Sequence, residues 1–487
     1  MPVTLYPDLS LPGHPDLENV RKLDLLPIPM IRQMQRYGIA IDIPYLNDLT
    51  VQLEAEMRQL ELDIACEIPP EKLHLFCDLA NEDTEAEDWS PINVNSGEQL
   101  AKLLFTVLGI GNGKELKLTK SGKSIKTDKK QLEVLKKEHQ VIPLVLQYKE
   151  RAKLVNTYTG KLPKIAQWHP KGKFCPICEL DHVESTHRVH TEFPTTRADT
   201  GRLASRNPNL QNIPARTKLG RLTREGFVAS PGCRIISCDF AQIELRLLAH
   251  CAAEEYMLSI FRRGGDIHLE TAMRAFSISD PNKVDKLLHR APCKNLNFGI
   301  VYGLTAKGLY DHMALTYATA GEVMPEYITE QWCEAFIQQW FGLYPAVPPY
   351  MDTQYYRARR YGLVWDQIGR TRQVPEVRSV HNRIKQAGLR QAGNMPIQSL
   401  AAALMKIAME RVRIRLDEIR EEIGMWCWPL LSIHDELLTE SEEDYAEVIG
   451  EVVKEEMDLS GIDPVTGKNA FLAPIESDFK ISERWTK

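Results

Sequence analysis

Hydrophobic positions recur with helical spacing through much of the N-terminal part of the chain. Residues 26–66 show this spacing, broken at Tyr37-Gly38, where a short apolar strand is predicted before a long, charged amphipathic helix. Two further helices are predicted around residues 97–108 and 128–138. This part of the chain is therefore expected to be mainly helical.

Strands enter the pattern further along. Residues 233–240 form an apolar run after Pro-Gly, which is typical of a buried strand. Helical periodicity then dominates from about 241 to 420, including a long helix over 378–416, and two more apolar strands are predicted at 426–432 and 437–440. These elements indicate an α+β fold that is rich in helix.

Composition limits the kinds of protein this can be. The chain has 487 residues, with 60 Lys plus Arg against 66 Asp plus Glu and a net charge of −6, so any nucleic-acid site must be a local patch. No apolar run approaches about 18 residues and the N-terminus carries no targeting pattern, so no membrane partner is expected. The cysteines show no disulfide spacing, which favours a reducing compartment and a cytoplasmic location.

Two aspartates lie at the ends of predicted strands. Asp239 closes the strand at 233–240, and Asp435 lies in His434-Asp435-Glu436 at the bend between the last two strands. Side by side, the two carboxylates could share a pair of Mg²⁺ ions, which prefer oxygen ligands and leave places for substrate phosphates. Two such ions can activate an attacking hydroxyl and stabilise the leaving oxygen of a phosphoryl transfer. A single aspartate at a strand end is more often a cap or turn residue, so the hypothesis depends on its surroundings.

Between these aspartates, four residues recur at a spacing of four in RAPCKNLNFGIVYG: Arg290, Lys294, Phe298 and Tyr302. On a helix they would form one stripe about 18 Å long, suited to a ligand with phosphates at one end and a flat base at the other. Alone, such a stripe could equally belong to an amphipathic helix whose long side chains lie along apolar surface. Its place between the aspartates favours a triphosphate ligand. Pro292 requires the helix to begin nearby, because Pro is accepted in a first turn.

A lysine-rich segment, KELKLTKSGKSIKTDKK, joins the helices predicted at 97–108 and 128–138. Its lysines, among them Lys120 and Lys123, could form a solvated loop. They could also hold a sugar-phosphate backbone, with hydroxyls and amides supplying hydrogen bonds. Both interpretations stay open.

Seven segments in chain order carry a resemblance to a known family: TGRLASRNPNLQNIP at 200–214, DFAQIELR at 239–246, GGDIHLETA at 264–272, RAPCKNLNFGIVYG at 290–303, GRTRQVP at 369–375, NMPIQ at 394–398 and IHDE at 433–436. From about residue 26 to its end, the chain resembles the family A DNA polymerases, the bacterial DNA polymerase I type. The resemblance implies a right-hand architecture with an antiparallel palm sheet and helical fingers and thumb. It also implies extension of a DNA primer on a DNA template with dNTPs, in a bacterial or phage-infected cell.

The resemblance implies five regions along the chain. They are 1–46 as an N-terminal segment and the start of the palm, 47–168 as the thumb, 169–262 as the first part of the palm, 263–377 as the fingers and 378–487 as the second part of the palm.

Site roles follow from the same resemblance, position by position. Two Mg²⁺ ions, replaceable by Mn²⁺, would be held by Asp239, Asp435 and the Phe240 carbonyl, with Lys294 and Glu436 as further catalytic residues. The dNTP would contact Arg290, His268, Gln242, Glu244, Phe298 and Tyr302. The primer-template would contact Arg202, Arg390, Asn394, Gln398, His434, Gly303, Lys120 and Lys123. Glu244 would exclude ribonucleotides by crowding the 2′ position, and Phe298 implies poor use of dideoxynucleotides.

Only about 25 residues precede the region of resemblance. No 3′–5′ exonuclease domain is therefore expected in this chain, and Asp16-Leu17-Glu18 is interpreted as a helix start rather than an exonuclease motif. A separate exonuclease or processivity partner is a hypothesis, and the chain is expected to be a monomer.

One hairpin of the family is split here by an insertion at 173–187. The insertion contains the candidate ligands Cys175, Cys178, His182 and His187. Thiolates and imidazoles at these spacings could close a tetrahedral zinc site, and so short a loop has little other means of staying folded. A loop without metal is the alternative.

Three other functions are weighed against polymerisation. A DNA-binding homologue without catalysis is disfavoured because every expected catalytic residue is present. A single-subunit RNA polymerase shares the two-aspartate layout, but Glu244 disfavours it. A zinc-dependent nucleic-acid adaptor would explain only the insertion.

Overall fold

A computed structural model of the protein describes residues 17–72, 92–113, 116–119, 122, 124–172, 174–195, 198–215, 217–300, 302–463 and 467–486. Its α-helices are α1 Leu17–Leu25, α2 Ile28–Tyr37, α3 Ile43–Cys66, α4 Gly97–Ala101, α5 Lys129–Leu135, α6 Val141–Leu154, α7 Leu162–Ile165, α8 Lys218–Glu225, α9 Ile243–Ala252, α10 Glu255–Arg262, α11 Ile267–Ala275, α12 Ala291–Ile300, α13 Ala306–Ala320, α14 Glu330–Leu343, α15 Val347–Tyr361, α16 Asn382–Glu418 and α17 Ala446–Asp458. Wider π-type turns extend helices at Lys102–Val107, Val155–Thr159, Lys286–Arg290 and Ile419–Ile423.

The strands form three antiparallel sheets. They are β1 Ile39–Ala40, β2 Gln167–His169, β3 Thr186–Val189, β4 Cys233–Phe240, β5 Leu363–Trp365, β6 Thr371–Gln373, β7 Cys427–Ile433, β8 Glu436–Glu442 and β9 Ser477–Ser482. The sheets have the orders β1-β3-β2, β7-β8-β4-β9 and β5-β6.

The N-terminal pattern is confirmed. Helix α2 ends where Gly38 takes a φ of +69°, a left-handed value that glycine adopts without strain. Strand β1 follows, and Asp42 then caps α3 by accepting a hydrogen bond from the amide of Tyr45 at 3.0 Å. The predicted sequence of helix, short strand and long helix is therefore correct.

The four-stranded sheet is the central layer of the protein. Strand β4 lies between β8 and β9, and its residues Ile235, Ile236 and Cys238 are fully buried. Helix α17 packs across β4 and β9, where a Cβ at Gly450 would lie 2.3 Å from the ring of Phe479, so glycine permits the close approach. Strand β9 was not predicted from the sequence.

A buried ion pair joins the small sheet β1-β3-β2 to the central sheet. Arg188 of β3 donates to Glu440 of β8 at 3.0 Å, and both side chains are fully buried. The guanidinium also donates to the carbonyls of Tyr37 and Gly38 and lies 3.8 Å from the centre of the Tyr37 ring. Removing one partner of such a pair typically costs about 3–5 kcal/mol, so the two sheets are firmly connected.

The hydrophobic residues form separate cores. The largest spans the central sheet, the surrounding helices and α16, while a second lies within residues 60–152, between α3 and the helices that follow it. The whole is a helix-rich α+β protein with an antiparallel palm sheet, as predicted. None of the described helices is both long and apolar enough to cross a lipid bilayer.

Candidate functional site

The turn between β7 and β8 brings the two predicted aspartates to adjacent strand ends. Asp239 of β4 pairs with Glu436, the first residue of β8. The amide of Phe240 donates to the carbonyl of Asp435 at 3.1 Å, and His434 takes a φ of +59° at the tip of the turn. Both aspartate side chains are partly exposed. One edge of the sheet therefore combines two carboxylates with backbone oxygens, the donor type that Mg²⁺ prefers.

Glu436 lies behind this turn. Its carboxylate is buried and accepts hydrogen bonds from Ser237 Oγ at 2.6 Å and Trp485 Nε1 at 3.2 Å. The guanidinium of Arg224, stacked on the ring of Trp485, lies 3.9 Å from the same carboxylate. These contacts fix the start of β8 and hence the backbone beside Asp435.

The predicted stripe lies on three structural elements rather than on one helix. Arg290 ends the π-type turn Lys286–Arg290, where its amide donates to the carbonyl of Asp285 at 3.0 Å, and only Lys294 and Phe298 lie on α12. Pro292 occupies the first turn of α12, as its missing amide hydrogen requires. Tyr302 follows the helix in a turn, where the amide of Tyr302 donates a hydrogen bond to the carbonyl of Gly299. The prediction that all four residues lie on one helical face about 18 Å long is therefore wrong, because that face includes only Lys294 and Phe298.

Arg290 is held by Asp266, a residue outside the predicted site set. Its Nη2 donates to Asp266 Oδ2 at 2.7 Å, while Oδ1 of the same carboxylate caps α11 through the amides of His268 and Leu269. Burial opposes ionisation of Asp266, but the bonds from Arg290 and the two amides hold its pKa below the ordinary value. The GGDIHLETA motif contained the signal, an aspartate just before a helix.

His268 lies between the stripe and the core. Asn297 Nδ2 donates to its Nδ1 at 3.1 Å, and its ring centre is 5.0 Å from that of Phe298, which is 40% exposed. The pKa of His268 is lowered to about 4, chiefly by burial; the cations Arg290 and Lys294 also lower it, and the negative charge of Asp266 opposes them. The ring is therefore neutral near pH 7, and with Nδ1 accepting, Nε2 carries the proton.

Tyr302 and Glu244 connect the end of the stripe to the palm. The phenol donates to Glu244, with oxygen distances of 2.6 and 2.7 Å, and Arg202 Nη2 donates to the same carboxylate at 2.6 Å. Partial burial and the negative charge of Glu244 raise the pKa of Tyr302 to about 12, against a smaller opposing effect of Arg202 and Gln398. Gln242 begins α9 in a left-handed conformation, with φ +53°. Glu244 is thus held at one position by two partners.

A cleft of about 840 Å³ runs along the exposed side of α12. Lys294, Phe298, Tyr302, Gly303 and Arg390 line it, together with the start of α13, whereas Asp239 and Asp435 do not. Gly303 has a φ of +66°, and a Cβ there would lie 2.4 Å from Arg390 Cγ, so the glycine backbone packs directly on the arginine stem.

The other predicted primer-template residues fall into two groups. Asn394 and Gln398 lie on α16, Asn394 buried and Gln398 beside the phenol of Tyr302. Arg202 and His434 line one small cavity next to α16. Lys120 and Lys123 lie outside the described residues, although the segments flanking them pair through a bridge between Leu118 and Ile125.

The insertion and strand β2 bring together a different set of candidate metal ligands from the predicted one. Nitrogen or sulfur atoms of His169, Cys175, Cys178 and His182 lie within 4.8 Å of one another. His187 is not among them, and its prediction as a ligand is corrected to His169. On β3, His187 pairs with Trp168 of β2 and their rings are 4.8 Å apart, whereas His169 pairs with Thr186 on the opposite face. Alternation along the strand therefore directs His187 away from the cysteines.

The antiparallel palm sheet with its two strand-end aspartates, set within a helix-rich protein, defines a right-hand polymerase architecture. The chain belongs to DNA polymerase family A, which matches residues 74–487.

Two named relatives and one solved structure illustrate the similarity. The chain is 36% identical over 461 residues to the thermostable DNA polymerase I of Thermus thermophilus, covering 94% of this chain and 47% of the relative. It is 31% identical over 477 residues to DNA polymerase I of Bacillus subtilis, covering 96% of this chain and 46% of the relative. The POL domain of Pol1 from M. smegmatis, in complex with DNA primer-template and dNTP, superposes with a TM-score of 0.71 at 28% identity, over 96% of this chain and 72% of that one. The chain spans about half the length of the curated relatives.

Proposed function

We propose that this chain is a template-directed, DNA-dependent DNA polymerase that adds dNTPs to the 3′ end of a primer. The observation that carries the proposal is that Asp239, near the end of β4, and Asp435, just before β8, lie on adjacent, hydrogen-bonded segments. From Asp239 the chain continues into α9, where Glu244 accepts a hydrogen bond from Tyr302. The names of the relatives and the bound primer-template and dNTP of the Pol1 domain support the same activity.

Two Mg²⁺ ions, or Mn²⁺ in their place, would be held by Asp239, Asp435 and the carbonyl of Phe240. The donor set fits these ions because it consists of oxygens only and both carboxylates are partly exposed to solvent and substrate. When bound, the ions would activate the primer 3′ hydroxyl and stabilise the leaving pyrophosphate. Glu436 would serve as a positioning residue, since its buried hydrogen bonds fix the start of β8.

The triphosphate would lie against the N-terminal end of the stripe. Arg290 is oriented by Asp266, and Lys294 is exposed on α12, so both can meet phosphate oxygens. Neutral His268 can donate from Nε2 without adding charge. Lys294 can also give a proton to the departing pyrophosphate, while Phe298 offers an apolar surface to the sugar and base.

The sugar and the templating base would be sensed at the other end. Glu244 would crowd the ribose 2′ position, with Tyr302 and Arg202 holding its carboxylate in place. Tyr302 and Gly303 would lie beside the templating base.

The primer-template would contact α16 and its neighbours. Asn394, Gln398, Arg390, Arg202 and His434 present polar groups that can meet the N3 and O2 acceptors shared by all correct pairs in the minor groove. The separate core within residues 60–152 supports assigning 47–168 as a thumb, whose lysine-rich loop with Lys120 and Lys123 would hold the duplex backbone.

Primer extension tests the proposal. A labelled primer annealed to four templates that differ in the first unpaired base is mixed with one dNTP at a time and Mg²⁺. We expect each template to direct addition of its complementary dNTP, and expect the matching rNTP to be added much more slowly. Addition that ignores the template base, or rNTP addition as fast as dNTP addition, would refute it.

A further inference from the structure

We propose that the insertion at 173–187 and the adjoining strand β2 bind one structural Zn²⁺ through Cys175, Cys178, His182 and His169. This site lies outside the polymerase function. All four side chains are buried, and both cysteines are free thiols. Two sulfurs and two imidazole nitrogens form the donor set of many closed zinc sites.

Two of the distances between donors match a tetrahedral ion, and a third is shorter than such an ion requires. With Zn–N near 2.05 Å and Zn–S near 2.3 Å, a tetrahedron places its two nitrogens about 3.3 Å apart and each sulfur about 3.6 Å from each nitrogen. His169 Nδ1 lies 3.3 Å from His182 Nε2 and 3.5 Å from Cys175 Sγ. Cys178 Sγ lies 3.0 Å from His182 Nε2, so it would move outward by a few tenths of an ångström on binding.

A second histidine supports His169 as a ligand. His169 Nε2 lies 3.0 Å from His190 Nε2, and His190 Nδ1 lies 2.9 Å from the carbonyl of Gln35. If His169 gives Nδ1 to the metal, its Nε2 keeps a proton to donate to His190, which in turn donates from Nδ1 to the carbonyl. One set of tautomers thus satisfies every ring nitrogen in this series, an arrangement typical of the outer shell of metal sites.

The loop is shaped as a metal-binding turn and has few apolar contacts of its own. The amide of Glu179 donates to the carbonyl of Cys175 at 2.8 Å, the amide of Cys175 donates to the carbonyl of Leu180 at 2.9 Å, and Gly172 and His182 pair through both amides. Of the insertion's apolar residues, Phe174 and Ile177 are 68% and 46% exposed, whereas Leu180 is partly buried against the largest core. Hydrophobic burial therefore holds the loop mainly through one side chain, and a metal would supply further stabilisation.

The surroundings assign the ion a structural role. Tyr37 stacks on His182 with ring centres 5.1 Å apart, Arg36 Nε donates to the carbonyl of Cys178 at 3.0 Å, and Trp426 Nε1 donates to the carbonyl of Asp181 at 3.4 Å. Trp426 precedes β7, and Asp435 follows the other end of this strand. The seven residues of β7 span about 23 Å at roughly 3.3 Å per residue, so they separate the two sites. The ion would fasten the insertion to α2 and β7, far from the aspartates.

Metal content and metal spectroscopy test the site in the whole chain. We expect about one zinc per chain after purification in zinc-containing buffer, and a tetrahedral cobalt spectrum with thiolate charge-transfer bands after exchange with Co²⁺. Absence of both signals in the unaltered chain would overturn the proposal. So would a protein two mass units lighter before reduction, with Cys175 and Cys178 joined as a disulfide and no metal bound.

Variants then separate the two ligand sets. Cys175→Ser/Cys178→Ser and His169→Ala should each lower the zinc content at least tenfold, while His187→Ala and the exposed-thiol control Cys66→Ser should keep it. His190→Ala should weaken zinc binding by about 10–100-fold. Zinc that survives His169→Ala but is lost in His187→Ala would overturn the assignment. Circular dichroism of each variant distinguishes loss of the metal from loss of the fold, and chelation should lower the melting temperature of the unaltered chain but not of the double cysteine variant.

Discussion

Replacing Glu244 by alanine is expected to let the protein accept ribonucleotides. The Glu244 side chain is 16% exposed and its carboxylate is held by Tyr302 at 2.6 and 2.7 Å and by Arg202 at 2.6 Å. A side chain held in this way cannot swing aside to admit a 2′ hydroxyl. Alanine removes the carboxylate and leaves room for that group.

Two energetic effects of the substitution can be separated. Discrimination by shape in a pocket is worth about 1–3 kcal/mol, so the preference for a dNTP over the matching rNTP should fall by about 10–200-fold. Loss of two hydrogen bonds to a charged group costs up to about 1.5–3 kcal/mol each, and less here because Tyr302 is substantially exposed. This second cost applies equally to both nucleotides and cancels in their ratio.

The assay is single-nucleotide insertion, with kcat/KM measured for dCTP and CTP opposite the same template base. Glu244→Gln is the matched control, since it keeps the volume of the side chain and removes its charge. We expect Glu244→Gln to retain most of the discrimination and Glu244→Ala to lose it. Equal loss in both variants would show that charge rather than volume selects the sugar, and unchanged discrimination in Glu244→Ala would refute the assignment.

Three further predictions concern the stripe and its neighbours. Phe298→Tyr should raise kcat/KM for dideoxynucleotides relative to dNTPs in the same assay, because a phenol can replace the hydrogen bond of the missing 3′ hydroxyl; an unchanged ratio would contradict this. Gly303→Ala should lower the free energy of unfolding in urea by about 1–2 kcal/mol, since φ is +66° and Arg390 must shift as well; an unchanged midpoint would contradict it. Burial holds the pKa of His268 at about 4 in the folded protein against 6.5 ordinarily, so the unfolded chain takes up the proton first and stability falls as the pH drops from 6.5 towards 4. Urea unfolding of His268→Gln at pH 7 and pH 5 should show a smaller loss than the unaltered chain, and an equal loss would count against this effect.

The sequence predicted elements best where local chemistry determines them. Strand β4 has the predicted bounds 233–240 because Pro-Gly precedes a mainly apolar run, whose apolar residues are all buried. The interruption at Tyr37-Gly38 was predictable because only a residue that tolerates a positive φ can end the helix there. The long helix predicted at 378–416 is Asn382–Glu418, close to its expected bounds.

Prediction failed where spacing was extrapolated beyond one element. The interval of four residues placed Arg290 and Tyr302 on the same helix as Lys294, but the wider turn before Pro292 and the helix end at Ile300 separate them. The partners of these residues, Asp266 and Glu244, come from other elements, and no local pattern shows which will meet.

The zinc ligands illustrate the same limit. Counting within the insertion selected His187, because it completes a regular series after Cys175, Cys178 and His182. The pairing of β2 with β3 decides otherwise, since His187 and His169 face opposite sides of that hairpin. His169 precedes the insertion and so was not counted with it, and its position six residues before Cys175 was the available signal.

The most direct test of the two-aspartate site measures primer extension and primer-template affinity together for Asp239→Asn and Asp435→Asn. Asp444→Asn is the matched control, an exposed carboxylate beyond the other end of β8. We expect each active-site variant to lose at least about 10³-fold in extension rate, roughly 4 kcal/mol of transition-state stabilisation, while DNA affinity and the control's activity stay nearly unchanged. Extension within tenfold of the unaltered rate in either active-site variant would contradict it.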